Sequence, residues 1–316
     1  MRRHQDPPPR SPAPIGFVLG LATLWLLVAT AGPAGSALAA DSSPPTLAEV
    51  ESATYHGLEE DSVVTLAKGH WEGAPFVEGG AVRPHVNLVR DFLVTGDLDA
   101  DGAAEGVVFL AHGLGGSGEF LYVAVLDRRS SGVVNVATEK LGDQLQVRAT
   151  SVVKGRLLLD VVEVGDQDPR CCPGEWVTRA YTLGSKGLHE VLPRAKARRL
   201  TPQALGGGAW TLRAWDLGEP LADSVDVTLA LNGNVLEGDA GCNRYAVPYK
   251  SGDLAGEIRL GPVAGTRIAC PEPANSVESR YLDLLGRARK FSFVAGALYL
   301  TWERAGAYGT MIFERK

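Results

Sequence analysis

The sequence predicts a mainly β or α+β protein built from two antiparallel β-rich domains, the second with one short helix. Short apolar stretches recur between residues 86 and 183 at the close spacing of antiparallel sheet, and long helical periodicity is hard to find. Residues 193–208 then combine basic residues with Thr-Pro and three consecutive glycines, which is typical of a domain boundary. We therefore predict an N-terminal domain over residues 40–192, a linker over 193–208 and a C-terminal domain over 209–316.

The composition is that of a globular protein without a nucleic-acid partner. Of the 316 residues, 45% are hydrophobic and 22% are charged, and this length suffices for two domains of ordinary size. The formal net charge is −6 and no long basic run is present. The chain therefore lacks the electrostatic footprint that nucleic-acid-binding proteins show.

Residues 1–39 have the pattern of a secretion signal. Three arginines lie near the start, residues 15–31 are apolar and uncharged, and residues 37–39 form a small-x-small cleavage site. We expect cleavage and a secreted, periplasmic or cell-envelope location. The alternative is an uncleaved signal that anchors the chain in the membrane, since the apolar run is at the short end of what spans a bilayer.

The N-terminal domain is predicted to contain a short helix followed by a series of strands. Thr46 is a suitable cap for a helix reaching Tyr55, in which Leu47, Val50 and Ala53 share one face. Each predicted strand is a short apolar run bounded by turn residues. The strands are predicted at residues 63–66, 87–95, 107–110, 120–126, 133–137, 144–153, 156–164 and 176–183.

The best candidate for a site is an acidic loop between two of these strands. Asp97, Asp99 and Asp101 occupy its positions 1, 3 and 5, Gly102 allows the chain to turn, and Glu105 stands at position 9. Calcium takes about six to eight oxygen ligands, and this alternation turns several carboxylates inward on one tight loop. The pattern resembles the calcium loops of integrin-type repeats and, less closely, an EF-hand, whose glutamate at position 12 is absent. The alternative is an acidic β-turn that holds no metal.

No complete catalytic motif is found in the sequence. The glycine-rich stretch 111–118 resembles the oxyanion loop of α/β-hydrolases at His112, but the Gly-x-Ser-x-Gly motif of those enzymes is absent. It also lacks the Gly-Lys-Ser/Thr ending of a phosphate-binding loop, so a glycine-rich hairpin is expected. The histidines show no zinc spacing. We therefore predict that the protein is not an enzyme.

The C-terminal region carries a set of motifs that resembles a known family. Gly-Cys-Asn-Arg-Tyr at 241–245 is followed by Thr-Arg-Ile-Ala-Cys at 266–270, by an amphipathic segment at 278–285, and by predicted strands at 298–300 and 311–314. Together they resemble the META domain, also called the heat-shock HslJ-like family, over about residues 205–316. That family has no settled enzymatic activity, and its members are linked to envelope stress, drug tolerance or virulence. The N-terminal part resembles an uncharacterised bacterial envelope or lipoprotein domain.

Four cysteines would lie in an oxidising compartment if the chain is secreted, and three pairings are possible. We expect Cys242 to pair with Cys270, because both lie in the C-terminal domain. That leaves the adjacent Cys171 and Cys172, for which several interpretations stay open. They are a ring disulfide that fixes a turn before Pro173, a redox site, a soft-metal site, or thiols that stay free or pair with another chain.

These observations predict a secreted or periplasmic, non-enzymatic envelope protein that acts as a binding or stress-tolerance factor. Its partner would be an unknown envelope protein or a small ligand. One alternative is a calcium-stabilised structural or adhesion module, motivated by the Asp97 loop. A second alternative is a redox-active protein that uses the adjacent Cys171 and Cys172. Calcium is the one cofactor that the sequence suggests.

Overall fold

The computed structural model describes residues 43–59, 62–89, 92–115 and 118–316, and only the backbone of Leu217. The predicted secretion signal, residues 1–39, lies outside the described residues. The described chain belongs to one compact unit, Ala40–Lys316. Within it, none of the helices has the length and apolar character needed to cross a membrane.

The chain up to residue 199 folds into one helical turn and a succession of strands. In chain order these are α1 (Leu47–Val50), β1 (Thr54–His56), β2 (Val63–Thr65), β3 (His70–Glu72), β4 (His85–Leu88), β5 (Val94–Gly96), β6 (Glu105–Gly113), β7 (Glu119–Arg129), β8 (Gly132–Asp143), β9 (Gln146–Val153), β10 (Arg156–Glu163), β11 (Glu175–Gly184), β12 (Gly187–Glu190) and β13 (Arg198–Arg199).

The rest of the chain is also mostly strand. It contains 3₁₀ helices at Pro202–Leu205 and Asp216–Gly218, and the elements β14 (Ala209–Trp215), β15 (Glu219–Pro220), β16 (Thr228–Asn232), β17 (Val235–Asp239), β18 (Arg244–Ser251), β19 (Ile258–Leu260), β20 (Ala264–Gly265), α2 (Ala274–Leu285), β21 (Ala288–Val294), β22 (Ala297–Arg304) and β23 (Ala307–Arg315). The sheets are antiparallel, so the predicted mainly β class is confirmed.

A central sheet with strand order β3-β4-β6-β7-β8 is buried on both faces. Along β6, Val107 and Phe109 enter one apolar cluster, whereas Val108 and Leu110 enter another. Successive side chains of a strand point to opposite faces, so a strand buried on both sides must be apolar throughout. One cluster is completed by the sheet β12-β11-β10-β9, and the other by α1 and the β1-β2 pair.

The C-terminal strands form a nearly closed barrel. Their order is β19-β18-β17-β16-β14-β23-β22-β21, and a bridge between Glu257 and Lys290 brings the two ends of this sheet together. Helix α2 packs on the barrel core through Tyr281, Leu284 and Leu285, which share one face of the helix. The predicted short helix in this region is therefore confirmed, although it starts four residues earlier than the predicted segment.

The sheet β9–β12 lies against the barrel, so the two predicted domains contact each other directly. The side chain of Gln146 accepts the backbone N–H of Phe293 at 2.8 Å, and the Val147 carbonyl accepts the N–H of Gly296 at 2.9 Å. Val162 on β10 belongs to the apolar cluster of the barrel. The domain boundaries themselves stay a prediction.

The segment 193–208, predicted as a linker, is packed in the structure. Leu200, Ala204 and Leu205 are buried in the barrel cluster. The guanidinium of Arg198 lies 3.9 Å from the centre of the Trp176 ring, and Arg199 pairs with Asp168. Apolar residues interspersed among the basic ones account for this packing, because burying them stabilises the fold.

Two predicted elements are shorter than expected. The helix predicted from Thr46 to Tyr55 ends at Val50, because the chain then turns into β1, where Tyr55 donates a hydrogen bond back to the Val50 carbonyl at 2.8 Å. The strand predicted at 87–95 is divided between β4 and β5. Between those strands Phe92 packs on the apolar cluster of the central sheet.

Candidate functional site

The acidic loop predicted as a calcium site is the connection between β5 and β6. Gly96 at the end of β5 pairs with Glu105 at the start of β6, so residues 97–104 form a tight hairpin connection. Ala100 and Gly102 have positive φ angles of 65° and 90°, which allow the chain to reverse within this short span.

Three of the four predicted ligands converge in this loop. One carboxylate oxygen each from Asp97, Asp99 and Glu105 lies within 4.8 Å of the others. Calcium–oxygen distances are about 2.3 to 2.6 Å, so two oxygens on opposite sides of one ion are about 5 Å apart. The spacing therefore fits a single calcium ion held by three carboxylates.

The cluster contains one buried carboxylate, that of Glu105. Its side chain is almost fully buried, and only 1% of its surface is exposed. Oε2 accepts the backbone N–H of Leu98 at 2.6 Å, whereas Oε1 has no hydrogen-bond partner among the described residues. Burial raises the pKa of Glu105, and the nearby charges of Asp99, Asp101 and Asp127 raise it further. A buried acceptor without a partner is costly, and a cation would satisfy it.

Hydrogen bonds to the backbone fix the other aspartates. Oδ1 of Asp97 accepts the N–H of Ala100 at 2.7 Å, and its Oδ2 accepts the N–H of Gly102 at 3.2 Å. Asp101, the fourth predicted ligand, lies outside the converging group, and its Oδ1 accepts the N–H of Ala103 at 2.8 Å. These hydrogen bonds fix the conformation of the loop. Asp101 contributes to that conformation and to the negative potential of the loop.

A cavity of about 360 Å³ opens beside these carboxylates and is lined by Asp99, Glu105 and Asp127. Asp127 is the residue of this site that the sequence did not reveal. Gly106 pairs with Leu126, and this register brings Asp127 next to Glu105 from the neighbouring strand. Such a cavity would let an ion and its water ligands reach the carboxylates from solvent.

The structure brings the four cysteines together as two pairs, one of which is the expected pair of Cys242 and Cys270. The sulfur atoms of Cys242 and Cys270 are at disulfide distance, with their Cα atoms 5.9 Å apart. Those of the adjacent Cys171 and Cys172 are also at disulfide distance, just before Pro173. Cys171 lines an apolar cavity of about 340 Å³. The redox interpretation of the adjacent pair stays a prediction.

His112 lies at the end of β6, in a cluster of polar groups that the sequence did not reveal. Its ring is buried, and burial lowers its pKa. Nδ1 lies 3.9 Å from Oε1 of Glu59, which also accepts the Tyr122 hydroxyl at 3.0 Å and lies 3.8 Å from Lys140. The four residues are distant in sequence, and only the pairing of the strands brings them together.

Asn243 connects the three motifs of the C-terminal region. Its Oδ1 accepts the N–H of Ile268 and the hydroxyl of Thr266, both at 2.7 Å. Its Nδ2 donates to the Ile268 carbonyl at 3.0 Å and to the carboxylate of Glu278 on α2. The buried Tyr245 hydroxyl lies 2.6 Å from that of Tyr281.

The C-terminal region is thus a small antiparallel barrel with one helix, in which Asn243 ties a disulfide-closed loop to that helix. Residues 203–315 match the model of a known family, the META domain, which confirms the resemblance seen in the motifs. The match begins inside the segment predicted as a linker.

Solved structures and curated proteins provide two further comparisons. An NMR structure of a protein from Burkholderia xenovorans is 25% identical, with a TM-score of 0.30, over 39% of this chain and 94% of that chain. No curated protein matches the chain. The META domain match indicates a stress-related or envelope-associated protein.

Proposed function

We propose that this protein is a secreted or periplasmic, non-enzymatic binding protein of the cell envelope whose fold is stabilised by calcium at the Asp97 loop. The match of residues 203–315 to the META domain supports the envelope association. Two cysteine pairs at disulfide distance support an extracytoplasmic location, because disulfides persist in oxidising compartments.

The observation that carries the calcium site is the buried Oε1 of Glu105, which lacks a partner beside Asp97 and Asp99. Without a cation, three carboxylates crowd one another and one of them is desolvated. A calcium ion removes both penalties, and it binds only the folded loop, so it stabilises the native state.

Thermal unfolding of the mature protein with calcium, with magnesium and with a chelator tests the site. We expect calcium to stabilise the wild type by about 3 kcal/mol when free calcium is a hundredfold above the dissociation constant. Asp97→Asn should abolish this gain, because it removes a ligand charge. Asp223→Asn, a change at an exposed aspartate on another loop, is the matched control and should retain it. An equal calcium effect in wild type and Asp97→Asn, or none in the wild type, would reject the calcium site.

The non-enzymatic part of the proposal has its own test. Purified mature protein should show no turnover in assays for hydrolase and thiol–disulfide exchange activity. Turnover that disappears in His112→Gln or in a Cys171→Ser/Cys172→Ser variant, with folding intact, would instead identify an enzyme.

A further inference from the structure

A cavity of about 520 Å³ lies where the outer edge of β9 meets β21–β23 of the barrel. Phe92, Tyr299 and Ile312 provide apolar walls. Arg148 from β9 and Arg315 from β23 also line it, so two arginines that are far apart in sequence meet at one cavity.

The charge of Arg148 is neutralised by the protein itself. This side chain is buried, with 6% of its surface exposed, and its Nη1 lies 2.5 Å from Oδ2 of Asp160. Its Nε donates to the Ala204 carbonyl at 2.6 Å, and its Nη2 donates to the carbonyl of Gly206. Each of the three nitrogens of the Arg148 guanidinium therefore has a partner within the protein.

The charge of Arg315 is not neutralised in this way. Its Nη1 donates to the Gly207 carbonyl at 2.7 Å, and its Nη2 makes a long contact of 3.4 Å with Gly206. Its Nε has no hydrogen-bond partner in the part of the chain that the structure describes. Among the ion pairs of the described residues, none includes Arg315. Burial and the neighbouring Arg148 lower the pKa of Arg315, and the charge of Asp160 opposes this shift only in part.

Two more polar residues line the cavity. The Oγ1 of Thr150 is buried and has no hydrogen-bond partner among the described residues. Glu314 is exposed at the rim and pairs with Arg213 at 2.9 Å, so its charge is compensated from outside. Two guanidinium groups facing the single carboxylate of Asp160 leave one uncompensated positive charge at the cavity.

We propose that this cavity binds a small organic monoanion, with a carboxylate held by Arg315 and the Thr150 hydroxyl and an apolar body against Phe92, Tyr299 and Ile312. Arginine suits a carboxylate because its planar donors match the two oxygens. Ligand sites combine mostly apolar walls with a few polar groups of this kind. The inference rests on the proposed binding function, for which it supplies a ligand class.

Calorimetric titration with octanoate, octanol and inorganic phosphate tests the chemistry. Octanoate has both the carboxylate and the apolar body, octanol lacks the charge, and phosphate lacks the apolar body. We expect octanoate to bind and the other two to bind at least about tenfold more weakly, since a charge-assisted hydrogen bond contributes this much or more. Equal binding of octanol or phosphate, or no binding of octanoate, would overturn the proposal.

Variants test the residues. Arg315→Gln should weaken octanoate binding by about tenfold or more, and Thr150→Val should weaken it by a smaller factor while keeping the charge and the shape. Arg259→Gln removes an exposed arginine on β19 and should leave the affinity unchanged. If Arg315→Gln does not fold, the octanoate affinity of Thr150→Val tests the proposal instead. Unchanged affinity in the folded variants would show that these residues do not hold the anion.

The same samples separate this inference from the proposed function. Octanoate binding without any calcium effect would retain the anion site and reject the calcium-stabilised module. A calcium effect without octanoate binding would retain the calcium-stabilised module and reject the anion site. Chemical conversion of bound octanoate would reject the non-enzymatic function but retain the site.

Discussion

At the scale of single residues, we expect Glu105 to make the stability of the protein depend on pH in opposite ways with and without calcium. Its pKa is raised in the folded state. Without a cation, the folded chain holds this proton more tightly than the unfolded chain does. That contribution to stability is therefore complete at low pH and is lost as the pH rises through the raised pKa.

With calcium the dependence reverses, because the ion requires the charged carboxylate. We expect the rise in melting temperature caused by calcium to be largest near neutral pH and to shrink as the pH falls through the raised pKa of Glu105. Melting curves with calcium and with chelator from about pH 4 to about pH 8 measure this difference. In Glu105→Gln the calcium effect should be small at every pH. A calcium effect of constant size across this range would contradict the assignment of Glu105 as a ligand.

The residues of the acidic loop were predictable because they are close in sequence. Asp97, Asp99 and Glu105 lie on one hairpin connection, and the alternation of carboxylates with small residues indicates their convergence. Asp127 reaches the site through strand pairing, and the meeting of Arg148 with Arg315 depends on how two sheets pack. No local pattern in the sequence specifies such contacts.

At the scale of elements, the loop from Cys242 to Cys270 should lose the most when its disulfide is removed. The two cysteines are 28 positions apart, and closing such a loop stabilises a protein by about 3 to 4 kcal/mol in the chain-entropy description. We expect a Cys242→Ser/Cys270→Ser variant to lose about this much free energy of unfolding. Denaturant titration measures the loss.

A Cys171→Ser/Cys172→Ser variant is the matched control, because adjacent cysteines close almost no chain and their loss should cost less. The loop should nevertheless keep its native position in the first variant, because Asn243 still binds Thr266 and Ile268. Hydrogen exchange at Ile268 tests that point. Equal losses in the two variants would show that loop closure is not the source of the stability.

The strands were easier to predict than the helix at the N-terminus. In β6 and β7 the apolar residues are continuous because both faces are buried, and such runs stand out in a sequence. The segment after Thr46 has an apolar spacing that fits a helix, yet Thr54 and Tyr55 pair with β2 instead. Tertiary pairing overrides a weak local preference in such a short segment.

At the scale of the whole molecule, Arg148 joins the N-terminal sheets to the barrel. Its guanidinium connects Asp160 on β10 with the carbonyls of Ala204 and Gly206. We expect the wild type to unfold in one cooperative transition in calorimetry. Arg148→Met leaves the half-buried Asp160 without its charge partner, which should destabilise by about 3 kcal/mol or less and separate the unfolding of the two parts.

Arg259→Met is the control, because this arginine is exposed and its ion pair with Asp253 contributes little. Two separate transitions already in the wild type would show that the sheets and the barrel are energetically independent. The glycines and prolines at 193–208 suggest that the sheets and the barrel unfold independently. The buried Leu200, Ala204 and Leu205 indicate instead that the two parts are coupled.

The contact of Arg148 with the barrel also limits how this region can be transplanted. A graft of residues 203–315 onto another exported protein would remove the hydrogen bonds that Arg148 donates to the carbonyls of Ala204 and Gly206. It would also remove Val162 from the apolar cluster. A recipient would have to supply the β9–β10 hairpin as well, so the smallest portable unit is larger than the region that sequence similarity outlines.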